Sequence, residues 1–407
     1  MSVIKIDHVP HLDLGERGRR LIEAQPELQS QAVFSREFEL PEDVGDWNIG
    51  VVVGPSGSGK TSIGEQLWGG GHVWQGREWP TSNPIIEAIQ PDGSFDVVTG
   101  ALASVGLGDV PAWLRPFHLL SNGEQFRANL ARIIAEAPDR IVVDEFSSVV
   151  DRQIACIGAL AFAKTWRRGG GQAVLLTPHY DVLPWIDPDW ILDTGTGELR
   201  YTKGELQRPE IHVEIRETKW AYWKYFKPHH YLDAGPMAFS TAFVGFVNDE
   251  PVVHMGMSGH HIGQGRREAR ACRMVVMPEW QGAGISLKFM NFICQRELDG
   301  EGYIGSPVTT QFHTAHPALC KVLRRDDRWR QISYAMHGGD GRRTAKMLGT
   351  NRTKATFGGH WRVIQGFRYF GQRGVEAAKQ KREQQAIEAK RGLDAAVQDG
   401  ELLAKVL

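Results

Sequence analysis

No uninterrupted apolar run of about 18 residues occurs in this 407-residue chain, which excludes a hydrophobic membrane-spanning helix. Met1 is followed by polar sequence rather than an apolar signal segment, and the expected compartment is the cytoplasm. Cysteine is scarce. Cys156, Cys272, Cys294 and Cys320 are scattered, with no CxxC pair and no disulfide-like spacing, and are expected as small core residues in a reducing environment. Net charge is nearly absent, at −1, while 42% hydrophobic and 23% charged residues are ordinary for a globular protein. The length allows two domains with their own cores, or three small ones.

The neutral total conceals a split. Residues 1–205 carry 17 Lys+Arg against 28 Asp+Glu, whereas residues 206–407 carry 30 against 20. Two domains of unlike surface would give this, and the basic one would attract a polyanion. An evenly solvated basic surface would give the same count.

What the chain does have is VVVGPSGSGKTSIGEQLW, residues 51–68: a buried-strand pattern, a glycine-rich turn and a helix. Gly54, Gly59, Lys60 and Thr61 occupy the fixed positions of G-x-x-x-x-G-K-[ST]. In such a turn the backbone N–H groups of Ser56, Gly57, Ser58 and Ser62, with those of the motif itself, can converge on phosphate oxygens. Lys60 would neutralise the β- and γ-phosphates and Thr61 would place its hydroxyl on Mg²⁺. Further on, RIVVDEF (140–146) is a short apolar strand ending in two acids. Asp144 suits the strand-end carboxylate that supports Mg²⁺ from behind its direct ligands, and Glu145 suits the general base that polarises the attacking water.

Between these lies LLSNGEQFRANLARII (119–134), which resembles the LSGGQ signature of the ABC ATPase superfamily, departing from it at Asn122 and Glu124. The resemblance implies ATP and Mg²⁺ as cofactors, with Ser121 and Gly123 contacting a γ-phosphate. It also implies Asp151 in a D-loop, SSVVD, and His179 in VLLTPHYD as the histidine that senses the γ-phosphate. A glutamine should link Mg²⁺ to the helical region, and Gln90 is preferred to Gln75; Phe34 is the candidate for stacking on adenine. In this family ATP is held between two cassettes. The single copy of each motif therefore implies an ATP-dependent homodimer.

From about residue 207 the pattern changes. TAFVGFVNDEPVVHMGMS (241–258) reads as two strands around an Asn248–Asp249 turn. Then come a strand ending at Met277, the glycine turn Gln281–Ser286 and an amphipathic helix. This resembles motif A of the GNAT acetyltransferases, [QR]-x-x-G-x-[GA], with Ser286 where Gly or Ala is usual. The resemblance implies an acyl-CoA cofactor such as acetyl-CoA. Gln281, Gly282, Ala283, Gly284, Ile285 and Ser286 would cradle its diphosphate, and the backbone of Val275 and Val276 would hold the pantetheine arm. The tyrosine that usually protonates the thiolate is replaced by a stretch with Cys320, leaving Tyr303, Ser306 and His313 as candidates. His229, His230 and Tyr231 fall on the acceptor side, as base or metal ligands or as ordinary packed residues.

The expected architecture is α/β. An ABC-type ATPase domain spans residues 1–206, an α+β GNAT-like domain 207–371 and a charged helical tail 372–407. The expected activity is ATP hydrolysis coupled to transfer of an acyl group to an amine acceptor, with DNA or RNA, or a modified nucleobase, as the acceptor class. The alternative is an ATP-driven nucleic-acid clamp with a non-catalytic GNAT-like domain.

Overall fold

The computed structural model describes residues 2–8, 15–25, 34–40, 47–76, 78–169, 171–230, 235–261, 265–337, 362–385 and 387–388. Among them no helix is long and apolar enough to cross a membrane. The chain divides into two units. The first is Met1–Ile211 with Pro278–Ala283, and the second is the remainder. The division falls at Ile211 rather than at residue 206. It also assigns the first half of the Gln281–Ser286 turn, through Ala283, to the first unit, where the sequence pattern had placed all of it in the second.

The first unit is built on a six-stranded sheet: β3 (Ile49–Val53), β4 (Val73–Trp74), β5 (Arg140–Val143), β6 (Gln172–Thr177), β7 (Trp190–Asp193) and β8 (Glu198–Tyr201). Their order across the sheet is β4-β5-β6-β3-β7-β8. All neighbours run parallel except β7 and β8. β3 is buried along its whole length. Ile49, Val51 and Val53 enter one core while Val52 enters another, so both faces of the sheet are covered, which explains the unbroken apolar run. An antiparallel ribbon of β1 (Ser2–His8) and β2 (Phe34–Leu40) contributes Ile6, Phe38 and Leu40 to the second core. The helices of nine or more residues are α1 (Glu16–Ala24), α2 (Lys60–Trp68), α3 (Phe95–Ser104), α4 (Asn122–Glu136) and α5 (Arg152–Trp166).

The second unit is a seven-stranded sheet. In chain order its strands are β9 (Glu214–Glu217), β10 (Ser240–Val247), β11 (Glu250–His261), β12 (Arg267–Val276), β13 (Thr310–Thr314), β14 (Trp329–His337) and β15 (Arg362–Tyr369). The spatial order is β14-β15-β13-β12-β11-β10-β9. Asn248 and Asp249 both have positive φ, 49° and 64°, as a tight turn between β10 and β11 requires. β12 pairs in parallel with β13 only from Ala269 to Ala271, so its last five residues run on unpaired to that neighbour. Helix α6 (Ile285–Asp299) crosses between these two strands in sequence, and α7 (Pro317–Arg325) follows β13. Residues 372–385 are helical, as the tail's pattern predicts.

Candidate functional site

The parallel strands β5, β6 and β3 lie side by side, and each ends in one of the residues singled out from sequence. Gly54 follows β3, Asp144 follows β5 and His179 lies two residues beyond β6. Ligands bind at this edge of an open α/β sheet because the loops there diverge and helix N-termini point inward.

Gly54 leaves β3 with φ 152°, and a Cβ there would come within 2.1 Å of Thr194 Oγ1, so only glycine fits the turn. Gly59 is left-handed, φ 87°, and starts α2 at Lys60. Lys60 Nζ donates to Gly54 O at 2.9 Å and Pro55 O at 2.8 Å, folding back over the loop. Burial lowers its pKa, while the carboxylates of Glu145 and Asp144 act to raise it. The loop is pinned from outside by Ser58 Oγ and Thr194 Oγ1, 2.6 Å apart.

Thr61 Oγ1 donates to Asp144 Oδ2 at 3.0 Å. The other carboxylate oxygen accepts from the Glu145 backbone N–H at 2.9 Å. Glu145 itself is left-handed, φ 50°, which turns the chain sharply after the strand. The hydroxyl and carboxylate are hard oxygen donors of the kind Mg²⁺ takes, and Mg²⁺ draws its remaining ligands from phosphate and water. That fits a site where no group of three or more His, Cys, Asp or Glu is gathered among the described residues.

His179 N–H donates to Thr177 Oγ1 at 3.2 Å, and the nearby Asp181 takes two bonds from Arg152 of α5. Burial first, then the Arg152 charge, lowers the His179 pKa; Asp181 and Glu145 oppose this and Lys60 reinforces it. The imidazole is therefore neutral near pH 7, able to donate or accept one hydrogen bond at each nitrogen.

Ser121 and Asp151 serve as helix caps. Ser121 forms a capping box with Glu124, whose carboxylate accepts from the Ser121 N–H at 2.8 Å. Glu124 thus has a local job that explains an acid at this position. A Cβ on Gly123 would meet Ile154 Cδ1 at 2.8 Å, so α4 and α5 approach closely there. Asp151 caps α5 through Gln153 N at 2.9 Å.

Gln90 is the glutamine preferred from sequence. It lies not at a strand end but two residues past the short helix Ile85–Ala88, with its buried Oε1 unpartnered and its side chain folded over Gly93. Gln75 does lie at a strand end. Trp74 O accepts from Asp144 N at 3.0 Å, so the residue after Trp74 stands beside the acid, exposed to solvent. The signal for Gln75 was the two-residue strand before it, too short to read without its partner. The side chains of Phe34 and Tyr231 lie outside the described residues.

In the second unit the turn's last residue, Gly284, is left-handed, φ 79°, and immediately precedes α6. Nothing stands within 4 Å of where a Cβ on it would be, so the N-terminal end of a 15-residue helix is open at that point. Val275 is buried and Val276 and Ser286 are half-buried. Gln281 Oε1 instead accepts from Gly108 N at 2.9 Å, within the first unit, which takes that oxygen away from ligand binding. Arg127 of α4, 4% exposed, donates to Gly106 O and Pro278 O in the same unit. Cys320 is buried, its thiol pKa raised by desolvation and its Sγ 3.8 Å from Thr314 O. Tyr303 is 41% exposed, its backbone N–H held by buried Glu297 at 2.7 Å. Ser306 is half-buried in the following loop, and His313 lies on β13. The His230 ring packs edge-on against Trp223, 5.5 Å between centroids.

Sequence reading missed His254. It is fully buried on β11, ringed by Trp220, Trp223 and Phe226, with Nδ1 3.0 Å from Arg273 O. Nδ1–H must donate to that carbonyl, which leaves Nε2 as a bare acceptor with no partner.

No protein-family model matches the chain, and no curated protein matches it. Solved structures that it resembles are ABC-type cassettes. One is a dimeric ATP-binding cassette in a post-hydrolysis state with ADP and Pi: 16% identity, TM-score 0.33, covering 44% of this chain and 91% of that one. Another is a dimeric bacterial ABC transporter cassette, with 14% identity, TM-score 0.34 and coverages of 42% and 93%. A third is cbiO1 of Clostridium perfringens, part of an ABC transporter complex, with 13% identity, TM-score 0.33 and coverages of 41% and 81%.

Proposed function

We propose that the chain is an ATP-hydrolysing cassette coupled to a GNAT-like acyltransferase, with nucleic acid or a modified nucleobase as the amine acceptor. The observation that carries the ATPase half is the Thr61–Asp144 bond at 3.0 Å. It brings a P-loop hydroxyl and a strand-end acid, far apart in sequence, onto one point where Mg²⁺ would bind. Lys60 and the loop N–H groups would hold the phosphates, Glu145 would take the proton of the attacking water, and Gln75 rather than Gln90 would monitor the metal. Bound ATP would supply the γ-phosphate that a second copy's Ser121 and Gly123 reach, making the active form a homodimer.

The acyltransferase half is supported by topology. From Ser240 the chain runs hairpin, fourth strand, glycine turn, helix, parallel fifth strand, helix and final hairpin, the succession expected of a GNAT domain. β12 parts from β13 beyond Ala271, next to Val275 and Val276, where a pantetheine arm would be held. Acyl-CoA would supply the activated acyl group; Gly284 and the start of α6 are open to its diphosphate. The buried Cys320 in place of a tyrosine favours a second reading, a nucleic-acid clamp in which this domain no longer transfers acyl groups. One experiment separates the two: incubate the protein with ATP, Mg²⁺, acetyl-CoA and DNA or RNA, then measure free CoA and the masses of the nucleosides. Acetylated nucleosides support transfer; acetyl-CoA binding without turnover supports the clamp.

A further inference from the structure

Strand register places four residues of the second unit in one line across its sheet. Arg270 of β12 is opposite Gln311 of β13, Gln311 is opposite Arg368 of β15, and Arg368 is opposite Arg330 of β14. Residues directly opposite share a face, and neighbouring strands are about 4.8 Å apart, so Arg270 and Arg330 are separated by roughly 14 Å. This face is the one turned away from α6. Tyr369 and Trp329, one residue along their strands, point to α6 instead, bonding Gln295 at 3.1 Å and Asn291 at 2.7 Å.

The three guanidiniums are not in equivalent settings. Arg368 is tied to buried Glu268 at 2.7 Å, and Glu268 also accepts from Gln311. That carboxylate fixes the centre of the row. Among the described residues neither Arg270 nor Arg330 makes an ion pair. Arg330 is exposed and lies over the ring of Phe370, 4.9 Å from its centroid. Two residues along β13 and β15 the same face carries His313 and Gly366, where a Cβ on Gly366 would meet Ser333 Oγ at 2.3 Å and His313 Nε2 at 2.9 Å. The row therefore combines unpaired positive charge with an aromatic ring and uncharged polar groups on a flat strand surface.

We infer that this face binds single-stranded nucleic acid, with Arg270 and Arg330 on phosphates and the Arg330–Phe370 pair beside a base. Single strands suit a flat sheet because their backbone follows a basic track while unpaired bases stack on aromatic rings. The +10 balance of residues 206–407 acts in the same direction. The inference rests on the reading of nucleic acid as the acceptor and names the surface that would hold it.

The test is fluorescence anisotropy of the full chain with a fluorescein-labelled oligothymidylate longer than one site of roughly 16 nucleotides. Salt is varied from about 50 to 200 mM. Arg270→Gln/Arg330→Gln leaves the Glu268–Arg368 pair intact and is distant in sequence from the nucleotide motifs, so its ATPase rate and melting temperature report folding. The expected result is a loss of roughly tenfold or more in affinity, with the salt slope reduced by about 1.4 for two phosphate contacts. Wild-type protein that does not bind the oligonucleotide, or a folded double variant that binds it as tightly, overturns the inference. Acetyl transfer to a small amine, measured on the same preparations, requires neither Arg270 nor Arg330. Transfer without oligonucleotide binding keeps the acyltransferase reading and removes only the nucleic-acid surface.

Discussion

Thr61 and Asp144 stand 83 positions apart in sequence and 3.0 Å apart in space, hydroxyl to carboxylate. Parallel strands of one sheet bring them together: β3 aims the P-loop and β5 ends at the acid, with β6 between them. If this pair holds Mg²⁺, Thr61→Val and Asp144→Asn each lower the Mg²⁺-dependent ATPase rate by roughly 100-fold. Neither adds volume at the loop, so circular-dichroism melting changes little. Activity restored by higher Mg²⁺ would mark Thr61 as a metal ligand in particular.

Glu145→Gln keeps the side-chain shape and removes the base. Hydrolysis falls roughly 100-fold or more while ATP is still bound. With hydrolysis blocked, size-exclusion chromatography in ATP and Mg²⁺ shows a dimer, and ADP returns it to monomer. A wild-type specific activity that is unchanged on dilution contradicts the shared-site arrangement.

Gln75 and Gln90 are separated by a direct comparison. Gln75→Ala lowers kcat by roughly tenfold, the usual cost of removing a group that orients a metal site. Gln90→Ala leaves kcat unchanged and alters only thermal stability, because its side chain is folded on Gly93. The reverse pattern restores the assignment expected from sequence.

His254 makes the protein acid-sensitive. Desolvation by burial pushes its pKa down to about 4, with the bond to Arg273 O opposing and His230 reinforcing the shift. Between about pH 6.5, the value of an unfolded histidine, and pH 4 the unfolded chain binds the extra proton and the folded chain does not. Stability is therefore lost as pH falls through this window, by roughly 3 kcal/mol in total. Urea denaturation from pH 7 to 4.5 shows the slope, and His254→Phe, which packs among the same aromatic rings, flattens it.

Arg127 is a buried cation whose pKa burial lowers to about 10, so it stays charged at neutral pH. Arg127→Leu strips the carbonyls of Gly106 and Pro278 of their donor. The expected destabilisation is about 3 kcal/mol, read from chemical denaturation.

Much of the first unit was legible because its signals are local. A strand, a glycine turn and a helix follow one another in 18 residues, and an apolar strand ends directly in Asp144 and Glu145. Turn chemistry also read through, as at Asn248–Asp249, where both residues take the backbone conformation their small polar side chains favour. What did not read through depends on pairings between distant segments. Gln75 gains its position from a two-residue strand beside β5, and no periodicity marks so short an element. Gln281 was read from its resemblance to motif A, and the bond its side chain accepts from Gly108 N, 173 positions away, has no local signal. Arg270, Arg330 and Arg368 form a row only through the register of four strands. His254 looked like an unremarkable strand residue until three aromatic rings were seen to enclose it.

On the proposed function, two independent anion cradles, one at Lys60 and one at Gly284, would serve different cofactors. Isothermal titration calorimetry of the Lys60→Ala chain tests it most directly. The variant is predicted to lose ATP binding while taking up acetyl-CoA with wild-type stoichiometry and affinity. Loss of both ligands together, or wild-type acetyl-CoA heat that saturating ATP abolishes, would mean a single nucleotide pocket and contradict the account.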